Sequence, residues 1–443
     1  MDNSTSTSSC ALDTFSFEFD RIEERLGLKA LLQQQACALG FTRARCVPSF
    51  LALFRLLIAY ALSSLSSRAV SSWAVATGLF DALSHVTLLA LMTRSAPWLR
   101  SITNTLLESY NRAFPIPTIP DSPWKLVALD ATCITSRYKG CHQFERMHLL
   151  FDVFTGALRQ VRCDLEQRTG EKLSHFALEK DWLVLADRCY CSLASFEHAA
   201  SQGAHLLVRW SRNVGLYQPV RGRPAWDWKE ALGHLEQGDE MSGFFWLGRG
   251  PRARKVWVHV RHMGADFQAE EIQRLKHNKQ KLTPETREMA RYMIVVTDLS
   301  PSELCGLSAL EYYHLRWTGT EINIREAKSE QGLGRMPRKS GKGARAWLWA
   351  HVCGQVIAQW MAQPAKKSDP PVARKRASYQ AVVKQLTVKM VADAMLPIGL
   401  SLWLEHGDAF CAHYPEDSRQ RGSRPHSTTV FLDKLLPSFR LQT

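Results

Sequence analysis

From about residue 10 to residue 110 apolar positions recur at helical spacing, in segments rich in Leu, Ala and Ser that predict a helical N-terminal domain over 1–120. Residues 68–77 read as one helix closed by Gly78 in a left-handed conformation. Ser84 is placed to N-cap the next helix, which Pro97 ends. This layout is compatible with a helix-turn-helix and equally with a plain helical hairpin. The most apolar stretch, residues 50–65, contains Arg55 and several serines and falls short of the ~20 clean apolar residues of a spanning helix, so it predicts a buried helix rather than a membrane anchor.

At Pro123 the pattern shortens. KLVALDATCI, RMHLLFDVFTG and ALRQVRCDLEQ read as three strands, the first two ending near Asp130 and Asp152. A helical stretch follows, then the apolar run WLVLAD ending on Asp187, the helix SLASFEHAASQG and a fifth run, HLLVRW. Strands mixed with helices in this order predict an α/β mixed sheet with flanking helices, its first part over 121–210. Residues 211–290 are rich in Trp, Gly and basic residues, with period-two alternation in KVWVHVR, and predict an inserted β-rich subdomain. The core resumes over 291–365 with YMIVVTDLS. Ser300, Pro301 and Glu303 then form a capping box that predicts a helix from about Ser302 toward Gly332. A further helix with Trp347, Trp349 and Trp360 follows Gly343, and a basic, Pro-containing linker leads into a helical C-terminal tail over 366–443.

Charge narrows the function. Fifty-six Lys and Arg against 42 Asp and Glu leave a formal charge of +14, which favours a polyanionic partner, nucleic acid first and an anionic membrane surface second. The N-terminus MDNSTSTSSC has neither a basic n-region nor an apolar h-region, which predicts a cytoplasmic protein. The eleven cysteines include no CxxC pair, and their odd number in a reducing compartment points to free thiols. No GxxxxGK[ST] run is present, which removes an ATP-driven partner activity from this chain.

Asp130 and Asp187 each close an apolar run, where neighbouring buried strands would bring two carboxylates to one sheet edge. Carboxylates that close share a cation or a proton. A third oxygen ligand is expected from a later helix, and Glu321 lies in the amphipathic, charge-rich TGTEINIREAKSEQGLG. Glu321 and Lys328 are seven residues apart, nearly two helical turns, so they share a face. Blander roles compete. Asp152, Asp164 and Asp298 also stand at strand ends, where aspartate is commonly a turn residue or cap, and Asp298 could help cap the helix after Pro301. Thr318 and Glu321 themselves fit a capping box.

At these residues the sequence resembles the insertion-sequence transposases of the DDE superfamily, in particular insertion sequence family four. The family signature Tyr-x2-Arg-x3-Glu-x6-Lys is met by Tyr313, Arg316, Glu321 and Lys328 in YHLRWTGTEINIREAK, except that four residues separate Arg316 from Glu321. On a continuous helix that extra residue rotates the acid by about 100°, which a π-bulge or a break at Gly319 would correct. LVALDAT and LVLADRCY match the contexts of the other two acids. The resemblance covers roughly residues 123–360. It implies an RNase H-like fold in which Asp130, Asp187 and Glu321 hold two Mg²⁺ ions, with Mn²⁺ as a substitute. It further implies cleavage at transposon ends and strand transfer into target DNA. Double-stranded DNA is the implied partner, as terminal inverted repeats and as target, with a homodimer in the synaptic complex and a nucleoid-associated location when bound. Tyr313, Arg316 and Lys328 are the implied DNA-binding residues, and Arg335, Arg338 and Lys339, followed by Lys342 and Arg345, would extend that track. Trp246 and Trp257 beside Arg249, Arg252, Arg254 and Lys255 form a mixture suited to base stacking, although tryptophan is more often core. A metal-dependent resolvase on the same fold and a non-catalytic transposase-derived binder are the competing functions. A glycosidase would leave the charge and Lys328 unexplained.

Overall fold

The computed structural model describes residues 18–63, 65–118, 122–136, 144–163, 170–277, 281–316, 320, 322–329, 332–337, 341–363 and 390–395. Its N-terminal part is helical, with α1 (Leu28–Ala38), α2 (Phe50–Leu62), α3 (Ser67–Ala76), α4 (His85–Arg94) and α5 (Ala96–Ala113). Serines start three of them: Ser49, Ser66 and Ser84 accept the backbone N–H groups of Ala52, Ala69 and Thr87. Gly78 follows α3 at φ 69° as expected. Pro97 does not end a helix. It lies in the first turn of α5, where a missing N–H costs nothing. Residues 77–84 separate α3 from α4, a longer connection than the about 3–4-residue turn of a helix-turn-helix.

The sheet comprises β1 (Lys125–Ser136), β2 (Phe144–Asp152), β3 (Leu158–Arg162), β4 (Trp182–Ala186), β5 (His205–Arg209), β6 (Leu216–Tyr217), β7 (Glu240–Leu247), β8 (Arg254–His262), β9 (Tyr292–Thr297) and the short β10 (Arg335–Met336). Their order is β3-β2-β1-β4-β5-β9-β8-β7-β6, with β10 alongside the far end of β1. β1, β4 and β5 are mutually parallel, and the pairs outside them in that order are antiparallel. The mixed sheet predicted by the sequence is therefore present. The stretch between β3 and β4 shows a 3-10 turn, Leu173–His175, rather than the expected helix among its described residues. Between β5 and β9 the chain adds β6 to β8 and also α6's successors α7 (Trp228–Leu232), α8 (Ala265–His277) and α9 (Pro284–Met289), where α6 is Leu193–Ser201. Its strands continue the main sheet through β8 and β9, with Val256, Val258 and Val260 buried on one face and Trp257 on the other.

After β9 come α10 (Gly306–Arg316), α11 (Ile322–Ser329) and α12 (Lys342–Met361). The capping box exists, since Glu303 accepts from the Ser300 N–H at 2.9 Å, but it closes a single turn and the helix begins at Gly306. One face of the sheet packs against α6 and α7 through Val127, Leu129 and Val184. The opposite face is shared. Leu126, Ala128, Leu183 and Leu185 pack under α10, whereas Ile134, Met147 and Leu149 join a core built from the N-terminal helices and α12. Gln359 of α12 accepts from Leu158 N–H at 2.8 Å and donates to its carbonyl at 3.1 Å, satisfying the edge strand β3. Residues 390–395 are helical and dock on α2, where Arg55 donates to the carbonyls of Met395 and Ala394. The rest of the expected C-terminal tail lies outside the described residues. No described helix is long and apolar enough to cross a membrane.

Candidate active site

The parallel ladder of β1 and β4 ends at Ala128↔Leu185. Two residues further along each strand stand Asp130 and Asp187, so continuing the register sets them opposite each other, at the ~4.8 Å separation of adjacent strands. Asp130 is not at the end of its strand, as the sequence suggested. β1 runs on to Ser136 because β2 and then β10 keep pairing with it after β4 has stopped. Alternation places Asp130 on the same face as Ala128 and Ile134, at the seam between the α10 core and the helical core. Each carboxylate accepts from the backbone N–H of the residue that follows it. Asp130 Oδ1 accepts from Ala131 N–H at 2.7 Å, and Asp187 Oδ1 from Arg188 N–H at 2.6 Å, where it N-caps the 3-10 turn Arg188–Tyr190.

Burial pushes the Asp130 carboxyl up to about 6 against the attraction of Arg316, with Asp187 and Glu171 adding to the rise. Arg316, at the end of α10, is buried and reaches to 4.0 Å from Asp130 Oδ2. Burial also raises Tyr313, which lies fully inside the protein with Arg316, Asp187 and Arg209 as its charged neighbours. Lys328 on α11 is half-buried. Desolvation lowers its pKa while Cys133 and Asp130 oppose that shift. Thr320 is in π-helical conformation and donates its hydroxyl to the Arg316 carbonyl at 2.8 Å.

Glu321, Arg338 and Lys339 lie outside the described residues. Arg335 contributes its backbone to β10, beside Thr135. Arg345 turns inward and stands 3.5 Å from the buried Glu145, which also accepts from Gly341 N–H at the start of α12. Among the rival aspartates, Asp152 is fully buried, ion-paired with Arg159 at 2.9 Å and bonded to the turn that follows it. Asp298 accepts from Leu206 N–H at 2.9 Å and contacts His205 at 2.7 Å, tying β9 to β5 instead of capping a helix. Asp164 is not described. On the outer face of β6 to β8, Arg223 lies 4.1 Å over Trp246, and Lys255 lies 4.5 Å from the Phe244 ring and 5.2 Å from Trp257.

Sequence reasoning missed Glu171 and Tyr190. Glu171, 3.8 Å from Arg146, is raised by burial and feels Asp187. The buried Tyr190 hydroxyl has no hydrogen-bond partner among the described residues and is raised by burial and then by Glu171 and Asp130. Glu171 sits in a polar stretch with no periodic signal. Tyr190, in the run after Asp187, carried one that went unused. Two facing carboxylates with oxygen-only donors, one of them hard to ionise alone, suit a divalent cation. The described residues contain no group of three or more His, Cys, Asp or Glu able to hold one, and the third expected acid is not among them.

The sequence profile of the Transposase DDE domain matches residues 122–356, a span that contains this mixed sheet and both aspartates. The chain belongs to that family: it is a DDE transposase, an enzyme acting on DNA. Over 351 residues, 75% of this chain and 90% of the relative, it is 25% identical to InsL of Escherichia coli (strain K12), a protein named as transposase for insertion sequence element IS186A. InsL of IS186B matches to the same extent. The piggyBac transposase, solved as a synaptic complex with hairpin DNA, aligns at a TM-score of 0.37 and 12% identity over 97% of this chain and 91% of that one, a likeness too slight to build on.

Proposed function

We propose that this transposase has an RNase H-like core in which Asp130, Asp187 and Glu321 hold two divalent metal ions, Mg²⁺ with Mn²⁺ as a substitute, for cleavage at transposon ends and strand transfer. The observation that carries the reading is the placement of Asp130 opposite Asp187 just beyond the shared end of two parallel strands. Support for Glu321 comes from its flanks: Arg316 before it and Lys328 after it both lie within electrostatic reach of Asp130. When bound, a pair of such ions supplies Lewis-acid polarisation of the attacking and leaving oxygens. The chain's own residues do the rest. The backbone N–H groups of Ala131 and Arg188 fix one oxygen of each aspartate. Arg316 and Lys328 bring positive charge to a site where phosphate arrives, and Tyr313 packs beneath Arg316 with its ring 5.5 Å from the guanidinium.

We further read residues 1–120 as DNA-binding, with Arg335, Arg338 and Lys339 along the DNA path. The working form is a homodimer bridging two terminal inverted repeats before joining target DNA, in the cytoplasm and on the nucleoid when bound. The test is cleavage of a transposon-end duplex by wild type, Asp187→Ala and Glu321→Gln at saturating protein with Mg²⁺. Both variants should lose cleavage while keeping near wild-type affinity in EDTA, because a metal ligand acts chiefly where charge develops in the transition state. Retained cleavage by either variant refutes its assignment.

A further inference from the structure

Glu271 is a carboxylate that no metal-site reading uses. It lies on α8, in the segment between β5 and β9, and is only 6% exposed. A single oxygen, Oε1, meets three guanidinium groups: Arg274 at 2.7 Å, Arg209 at 3.1 Å and Arg188 at 3.5 Å. Arg274 belongs to the same helix, but the other two do not. Arg209 ends β5 and lies among the charges around Tyr313. Arg188 directly follows Asp187 and gives its backbone N–H to that carboxylate at 2.6 Å. Burial pushes the Glu271 carboxyl up, yet Arg209, Arg274 and Arg188 together hold it below the ordinary carboxylate range.

A fully surface-exposed ion pair would add little, but here a buried anion has three cations that would otherwise repel one another. The cluster keeps a net charge of +2 (three Arg less one Glu), and its Glu271, Arg188 and Arg209 form one wall of a cleft of about 840 Å³ that Arg212 and Lys281 also line. Removing Glu271 would leave that cationic wall in place but without its organising anion. The segment carrying α8 contributes neither Asp130 nor Asp187, and Glu271 gives it a purchase on the loop that carries Asp187.

We infer that Glu271 is a positioning residue for the cleavage reaction, acting through Arg188 to hold the Asp187 turn in its working geometry. The inference rests on the reading of Asp187 as a site acid. Displacements of about 1 Å at a reacting centre cost up to about a hundredfold in rate, so Glu271→Gln should slow cleavage at saturating protein roughly ten- to a hundredfold. DNA affinity should be undiminished, because the wall gains net positive charge. Glu271→Asp keeps the anion and should recover most of the rate. In a double-mutant cycle, Glu271→Gln added to Arg188→Ala should cost little beyond Arg188→Ala alone, the non-additivity expected of residues acting in series. Thermal melts of each variant separate loss of fold from loss of geometry, and Glu271→Asp carries the test if Glu271→Gln does not fold. The inference is overturned if Glu271→Gln cleaves within about twofold of wild type, if its effect is additive with Arg188→Ala, or if Glu271→Asp is as slow as a misfolded variant while melting normally. Asp187→Ala in the same assay tests the underlying reading separately: if it still cleaves, the site assignment fails whatever Glu271 does.

Discussion

The Arg316 guanidinium and the Asp130 carboxylate lie 4.0 Å apart, with 6% and 28% of their side chains exposed. Even so, the attraction does not win: burial, with Asp187 and Glu171 nearby, leaves Asp130 harder to ionise than a free aspartate. Burial thus outweighs the neighbouring guanidinium, and keeping a charged carboxylate at this position costs stability.

That cost is measurable. The folded chain binds the Asp130 proton more tightly than the unfolded chain, so its contribution to stability is full below the ordinary value of 3.8 and is lost as pH rises through about 6. Asp130→Asn removes the loss. In the metal-free protein the variant should melt above wild type at pH 7.5, with the gap shrinking toward pH 4. Converted at about 1.4 kcal/mol per pH unit and reduced for solvent screening, the gain is about 1–2 kcal/mol. An unchanged gap across this range would show that Asp130 is not the group under strain.

Under the proposed function the same proton competes with Mg²⁺. Below pH about 6, Asp130 is increasingly protonated in the metal-free site, so the Mg²⁺ concentration giving half-maximal cleavage should rise as pH falls from 7 to 5.5. Raising Mg²⁺ at pH 5.5 should restore much of the rate, and EDTA should abolish cleavage at every pH. A pH profile insensitive to Mg²⁺ concentration would contradict this.

The proposed function gives Lys328 a different task from the acids. Lys328→Ala should weaken binding to end DNA and reduce the slope of log affinity against log salt by about one, because one fewer counterion is released. Cleavage at saturating protein should fall less than with Asp187→Ala. An unchanged salt slope would remove Lys328 from the DNA contacts.

Stability elsewhere turns on Asp152 and Arg159, buried to 0% and 3% exposure and 2.9 Å apart. Arg159→Ala leaves Asp152 charged and unpaired inside the protein and should cost about 3–5 kcal/mol, read as a fall in denaturant midpoint. A loss under about 1 kcal/mol would mean that the turn N–H groups of Phe154 and Thr155 suffice for Asp152.

Much of this arrangement was legible in the sequence because it follows from local rules. Ser84 ahead of an apolar run marked a helix start, period-two runs marked strands, and Asp130 and Asp187 stood out as polar ends to apolar segments. What local pattern could not convey was pairing. β1 outlasts β4, so Asp130 is inside a strand and on a face that changes packing partner. Pro97 falls in the first turn of a helix because Ser95, two residues before it, had already ended the preceding one. Asp298, equal to Asp187 on pattern alone, is committed to β5 through Leu206 and His205. Glu171, and Glu271 apart from Arg274 on its own helix, acquire their charged neighbours through tertiary contact, and neither stands in a run whose periodicity would single it out.

The position of β9 in the sheet also has a consequence for how the protein is made. β5 is hydrogen-bonded to β4 on one side and to β9 on the other, and β9 in turn separates it from β8. Residues 211–291 are translated after β5 and before β9, so the outer edge of β5 is made before the strand that covers it. The buried run Leu206, Leu207, Val208 is then an open apolar template for another nascent chain. Slowing translation within that interval should therefore lower the yield of folded protein, and speeding it should raise the yield, with no change in the finished molecule's stability.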